Sequence, residues 1–112
     1  MKSVPKRQSA AGYRVFLSHS DKDRWIAKPD SVRNGIEKCD EFVVLLSRYS
    51  KDRPWVLIEI GAAWGLRKPI IAIIDKIGPK EMPDILNPYK AIDLNDFDQY
   101  ISQFLRRAKV RR

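Results

Sequence analysis

Phe42-Val43-Val44-Leu45-Leu46-Ser47 is the stretch on which the fold turns, an apolar run with no polar alternation that stops at a serine. A strand with one wet face alternates with period two, whereas a strand covered on both faces need not. The run therefore predicts an inner strand of a parallel sheet. Ile70-Ile71-Ala72-Ile73-Ile74-Asp75 repeats the pattern. Between the two, a helix is predicted from Pro54 to about Leu66, with proline at the favoured first helical position and Lys68-Pro69 ending it. Two such strands joined through a helix form a βαβ unit, the building block of α/β sheets.

Upstream, Tyr13-Arg14-Val15-Phe16-Leu17 is short, aromatic and β-branched, and predicts a first strand that stops at Ser18-His19-Ser20-Asp21. Ser20 and Asp23 resemble a capping box, opening a helix through Trp25, Ile26 and Ala27 that Pro29 closes. Ser31 then caps a second short helix from Val32 to about Cys39, with Val32, Ile36 and Cys39 on one face. Downstream, Arg48 to Arg53 reads as a charged loop. Residues 76–90 carry Gly78, Pro79, Pro83 and Pro88 and read as a long loop with one helical turn near Met82 to Leu86. Ala91-Ile92-Asp93-Leu94 predicts an edge strand. Asn95 or Asp96 caps a last helix with Phe97, Tyr100, Ile101, Phe104 and Leu105 at helical spacing. The sum is a mostly parallel α/β sheet with helices on both faces, whose ligand sites lie beyond the carboxyl ends of the strands. Those ends are Leu17 to Asp21, Ser47 to Arg53 and Asp75 to Gly78.

The chain of 112 residues fits one domain, and its 44% hydrophobic content supplies a core without disulfides or metal. Of the formal charge of +8, residues 1–14 carry +4 and residues 106–112 carry +5, so the body between them is nearly neutral. Residues 1–12 read as a flexible basic leader, 13–108 as the domain and 109–112 as a basic tail. A nucleic-acid module normally carries its basic patch on the folded surface, so the ends imply only weak, salt-sensitive contact with nucleic acid or anionic lipid. A lone cysteine and the absence of an apolar signal segment at the start predict a cytoplasmic setting, and no run is long enough for a membrane span.

Several sites are missing: there is no glycine-rich phosphate loop, no G-x-G-x-x-G and no H-E-x-x-H, and one His with one Cys cannot close a zinc site. Cys39 falls on the apolar face of its predicted helix and reads as a buried structural thiol rather than a partner for His19. The distinctive segment is Pro54 to Leu66, in which Glu59 is the single charge. A helix apolar nearly all round is expected to be buried, which makes its carboxylate costly. Such a group finds a partner, becomes protonated or faces a cleft, and pairing with an arginine or lining a wet helix edge is the bland alternative to a functional role. Gly61 and Gly65 would let another element approach the helix closely.

Tyr13 to Ser20, then Cys39-Asp40-Glu41 running into Phe42 to Ser47, then Trp55-x-x-x-Glu59 leading to Lys68-Pro69-Ile70-Ile71, resemble a Toll/interleukin receptor (TIR) domain of the bacterial type. The resemblance runs from about Tyr13 to Ala108, and the Trp-x-x-x-Glu helix between two apolar strands is its most specific part. It implies a flavodoxin-like three-layer sandwich and, for many bacterial members, cleavage of the nicotinamide–ribose bond of NAD+. The family's catalytic glutamate closes that motif, which places the role on Glu59. The loop after the first strand helps form the family's pocket, carrying substrate binding to Ser18, His19 and Ser20, with Trp55 a candidate ring-stacking residue. NAD+ would be substrate, with no metal or further cofactor.

One departure stands out. TIR domains place a second strand and a long loop between their first two helices, where this chain has only Lys28-Pro29-Asp30. Removing that strand from the order 2-1-3-4-5 leaves a four-stranded sheet of order 1-3-4-5. The first strand then becomes an apolar edge that invites pairing with another chain, and the pocket loses a wall. Two functions are thereby implied: NAD+ cleavage, or a non-catalytic module that self-associates or contacts other TIR domains in signalling or defence.

Overall fold

A computed structural model describes residues 12–19, 29–89 and 91–111, with side chains through Ala108. Four strands form one sheet: β1 (Val15–Ser18), β2 (Glu41–Leu46), β3 (Ile70–Ile74) and β4 (Ala91–Asp93). All neighbours are parallel and the order is β1-β2-β3-β4, the expected 1-3-4-5 arrangement in sequence order. Helices α1 (Pro29–Lys38) and α2 (Pro54–Gly65) pack on one face, and α3 (Phe97–Arg111) on the other. The predicted helix with Ser20, Asp23 and Trp25 falls outside the described residues. Among the described residues no helix is long and apolar enough to cross a membrane.

The unalternating strands are explained by two cores. Phe42, Val44 and Leu46 of β2, with Ile70, Ala72 and Ile74 of β3, meet Val32 and Ile36 of α1 and Val56, Ile60 and Ala63 of α2. Val43 and Ile73, from the alternate positions, meet Ile92, Tyr100 and the flanking Phe104 on the opposite face. Phe16 stacks on Phe42 at 5.7 Å, and a Cβ at Gly35 would stand 3.0 Å from the Phe16 ring, so glycine is what lets α1 lie this close to β1. Being the first strand of the described sheet, β1 leaves Val15 and Leu17 substantially exposed on the α3 side.

Local chemistry shifts several predicted boundaries. Pro29 opens α1, and Ser31 lies inside the first turn rather than at the cap; proline's missing N–H costs nothing at a position where that donor has no helical partner. The single turn expected near Met82 is two 3-10 turns, Pro79–Glu81 and Asp84–Leu86. Asp93, not Asn95 or Asp96, supplies the capping oxygen, accepting from the Asn95 N–H before a 3-10 turn leads into α3. The end of α2 is a Schellman turn without glycine: Lys68 N–H bonds Ala63 O, Arg67 N–H bonds Trp64 O, and Arg67 takes a φ of 59°. Lys68 then extends its Nζ to the carbonyls of Glu37 (2.7 Å) and Cys39 (3.0 Å), satisfying acceptors left over where α1 ends.

The expectation that α2 is buried all round is corrected. Val56, Glu59, Ile60 and Ala63 face the core, but Leu57, Ile58, Trp64 and Leu66 are 40–56% exposed. Among the described residues nothing lies within 4 Å of a Cβ placed on Gly61 or Gly65, so neither glycine accommodates a neighbour there. A helix whose outer face is as apolar as its inner face gives no periodic signal of which side is wet.

Candidate functional site

Glu59 sits in the middle of α2 on the helix face turned toward the sheet, and its side chain is fully buried. The pleat of β1 directs Phe16 and Ser18 to that same face, and Ser18 is the last residue of the strand. Its hydroxyl donates to Glu59 Oε1 at 2.5 Å, a short O–H···O bond. Serine and glutamate 41 positions apart thus meet at the carboxyl end of β1, the edge where α/β sheets bind ligands. Glu59 is buried and accepts from a hydroxyl, which removes the wet-edge half of the bland alternative.

The other predicted site residues are placed less closely. His19 follows Ser18 and is partly buried, and Ser20 lies outside the described residues. Trp55, one turn before Glu59, is partly buried against the core of the α1–α2 face. Its indole Nε1 is buried with no hydrogen-bond partner among the described residues. An orphaned buried donor costs about 1–3 kcal/mol, and a ligand acceptor would relieve that cost.

The turn between β2 and α2 is built by a pair of serines that the sequence reading left unassigned. Ser47 N–H donates to Ser50 Oγ at 2.9 Å, Ser50 Oγ donates to Leu45 O at 2.9 Å, and the N–H groups of Tyr49 and Ser50 both donate to Ser47 Oγ. Local serine-to-backbone bonds of this kind stabilise turns over continued strand, and Ser-x-x-Ser directly after an apolar strand was the available signal. The turn delivers Arg53 to the start of α2, where its guanidinium stacks 4.2 Å above the exposed Tyr49 ring and its Nε donates to Tyr49 O at 2.9 Å.

A second buried carboxylate lies far along the sheet, at the amino end of β2. Glu41 accepts from Tyr13 Oη, Tyr100 Oη, Arg107 Nε and Arg107 Nη2, each at 2.7 Å. Burial works to raise its pKa, but the hydrogen bonds from Arg107, Tyr13 and Tyr100 together hold it below the ordinary carboxylate value. Burial and the same carboxylate push the Tyr13 hydroxyl up to about 12 and raise that of Tyr100 as well. All of Glu41's partners are structural, and together they tie β1, β2 and α3.

Cys39 is buried as expected, with Sγ donating to Ile36 O at 3.2 Å, and burial pushes its thiol pKa up. A buried, protonated thiol is a poor nucleophile. In native protein Cys39 is expected to resist a water-soluble disulfide reagent and to react fully once urea unfolds the chain; rapid labelling of the native protein would contradict its placement.

The fold and site therefore define an α/β domain with a buried glutamate at the tip of its first strand. A family model described as TIR domain matches residues 6–107, nearly the whole chain, and the chain belongs to that family. No curated protein matches it.

Proposed function

We propose that this TIR domain binds NAD+ and cleaves its nicotinamide–ribose bond, with Glu59 as the catalytic carboxylate. The observation that carries this reading is the placement of the helix's single charged side chain at the carboxyl end of β1, bonded to Ser18. The bond between ribose C1′ and the pyridinium nitrogen breaks, and its electron pair leaves with neutral nicotinamide. The ribose becomes oxocarbenium-like, and a carboxylate beside it stabilises that charge and orients the hydroxyls, as in glycoside hydrolysis. Water then adds at C1′ and loses a proton, giving ADP-ribose. Trp55's unpaired indole N–H, one turn from Glu59, supports a ligand on this side of α2. Release of nicotinamide from NAD+ by purified protein tests the reading, and no turnover at any protein concentration removes it.

A second reading, a module that works through contact with its own kind, is favoured by a separate observation. TIR domains generally self-associate or contact other TIR domains, and the outer face of α2 presents Leu57, Ile58, Trp64 and Leu66 to solvent with no charge among them. Contiguous exposed apolar surface of this kind marks contact sites. Ile58→Lys is expected to shift the protein toward monomer in sedimentation velocity while leaving its melting temperature within a few degrees, since Ile58 is 56% exposed. An unchanged distribution of species in wild type and variant would count against the α2 face as the contact.

A further inference from the structure

We infer that Ser18 is the positioning residue for Glu59, acting on the reaction through that carboxylate and not through the substrate. The inference rests on the proposed NAD+ cleavage. Its basis is geometric: both side chains are fully buried, and Ser18 Oγ donates to Glu59 Oε1 at 2.5 Å. A serine hydroxyl owns one proton to donate. Here Glu59 takes it, so Ser18 has no donor left for a ribose or a phosphate.

The surroundings fix the hydroxyl's direction. Ser18 pairs in register with Val44, an inner-strand residue that is itself fully buried, so the strand cannot twist there without breaking the ladder. Two positions earlier, Phe16 is seated on Phe42 and against Gly35, anchoring the same face of β1. A glutamate on a helix has three rotatable side-chain bonds, and a short bond from a rigid strand restricts that freedom. Reactions that build up charge at one carbon depend on such preorganisation, because a carboxylate free to swing must be re-aimed in each turnover. Ser18 thus stands to Glu59 as an outer partner stands to a catalytic group, and the carboxylate's aim is set by the end of β1 as much as by α2.

The test compares Ser18→Ala, Ser18→Thr and Glu59→Gln with wild type, measuring nicotinamide release from NAD+ over a range of substrate concentrations, with melting temperatures read in parallel. Ser18→Ala is expected to lower kcat roughly 10- to 100-fold, the range spanned by a hydrogen bond to a charged group, with KM within about twofold of wild type. Ser18→Thr keeps the hydroxyl and is expected to recover kcat to within roughly threefold; Ser18→Cys takes its place if the added methyl prevents folding at a site with no free surface. A hydroxyl serving the fold alone would lower the melting temperature in Ser18→Ala and leave kcat per folded molecule unchanged, which overturns the inference. A KM that rises in step with the loss of kcat/KM overturns it too, since Ser18 would then touch substrate. Wild-type turnover abolished by Glu59→Gln but kept by Ser18→Ala defeats the inference and spares the proposed function; wild-type protein with no turnover defeats both.

Discussion

Glu41→Ala is expected to cost about 3–5 kcal/mol, the usual penalty for removing one partner of a buried ion pair. Glu41 is fully buried and accepts four hydrogen bonds at 2.7 Å, so its loss strands the hydroxyls of Tyr13 and Tyr100 and leaves Arg107 without its carboxylate. The Arg107 side chain keeps 35% of its surface in water, which places the expected cost toward the lower end. Against a total stability of about 5–15 kcal/mol for a domain of this kind, that is a large part of the margin. Urea denaturation followed by circular dichroism measures it, and a loss under about 1 kcal/mol would show that the cluster is better solvated than the geometry implies.

The same cluster sets a pH dependence with a definite sign. Glu41's folded pKa lies below its ordinary 4.5, so its contribution is complete above that value and is lost as pH falls through the folded one. The tyrosines work in reverse: Tyr13, raised from 10.0 to about 12, adds stability that is full below pH 10 and lost as pH climbs through about 12. Melting temperatures of wild type should therefore fall more steeply below pH 4.5 than those of Glu41→Gln, which has no proton to take up there. Parallel curves would reject Glu41 as the group responsible.

Glu59→Gln is expected to reduce nicotinamide release roughly 100-fold or more, in line with the loss of one preorganised electrostatic group. Glutamine has nearly the shape of glutamate and still offers Ser18 an oxygen, so the variant removes charge while keeping the bond at the end of β1. The effect should fall on kcat, because the positive charge that the carboxylate answers develops on the sugar as nicotinamide departs. Turnover equal to wild type would end the assignment, whatever the fate of the fold.

Much of the architecture was readable in the residues because β2 and β3 are covered on both faces, and continuous apolar runs are what that covering demands. Glu59 could be singled out for a related reason, a lone charge in an apolar helix. Its bond to Ser18 could not be read, since the partner lies on another strand and hydroxyl-to-carboxylate pairs leave no periodic trace. Glu41 was hidden likewise: in sequence it is an ordinary acid at the start of a strand, and only the return of α3 brings Tyr100 and Arg107 to it. The exposed side of α2 was misjudged because hydropathy reports what a residue prefers and not what covers it. The start of α1 was misplaced because proline marks both ends of helices, and its position alone does not say which.

The zero accessibility of Glu59 carries a kinetic corollary for a nucleotide substrate. If Glu59 acts on NAD+ as proposed, a carboxylate sealed from solvent meets it only in the minority of molecules that uncover it. The apparent Kd is then the intrinsic Kd divided by that fraction, so an uncovered population of about 1% weakens binding about 100-fold. Latency would thus be inherent in the isolated domain, and whatever favours the uncovered form would switch on turnover without altering a single reacting group.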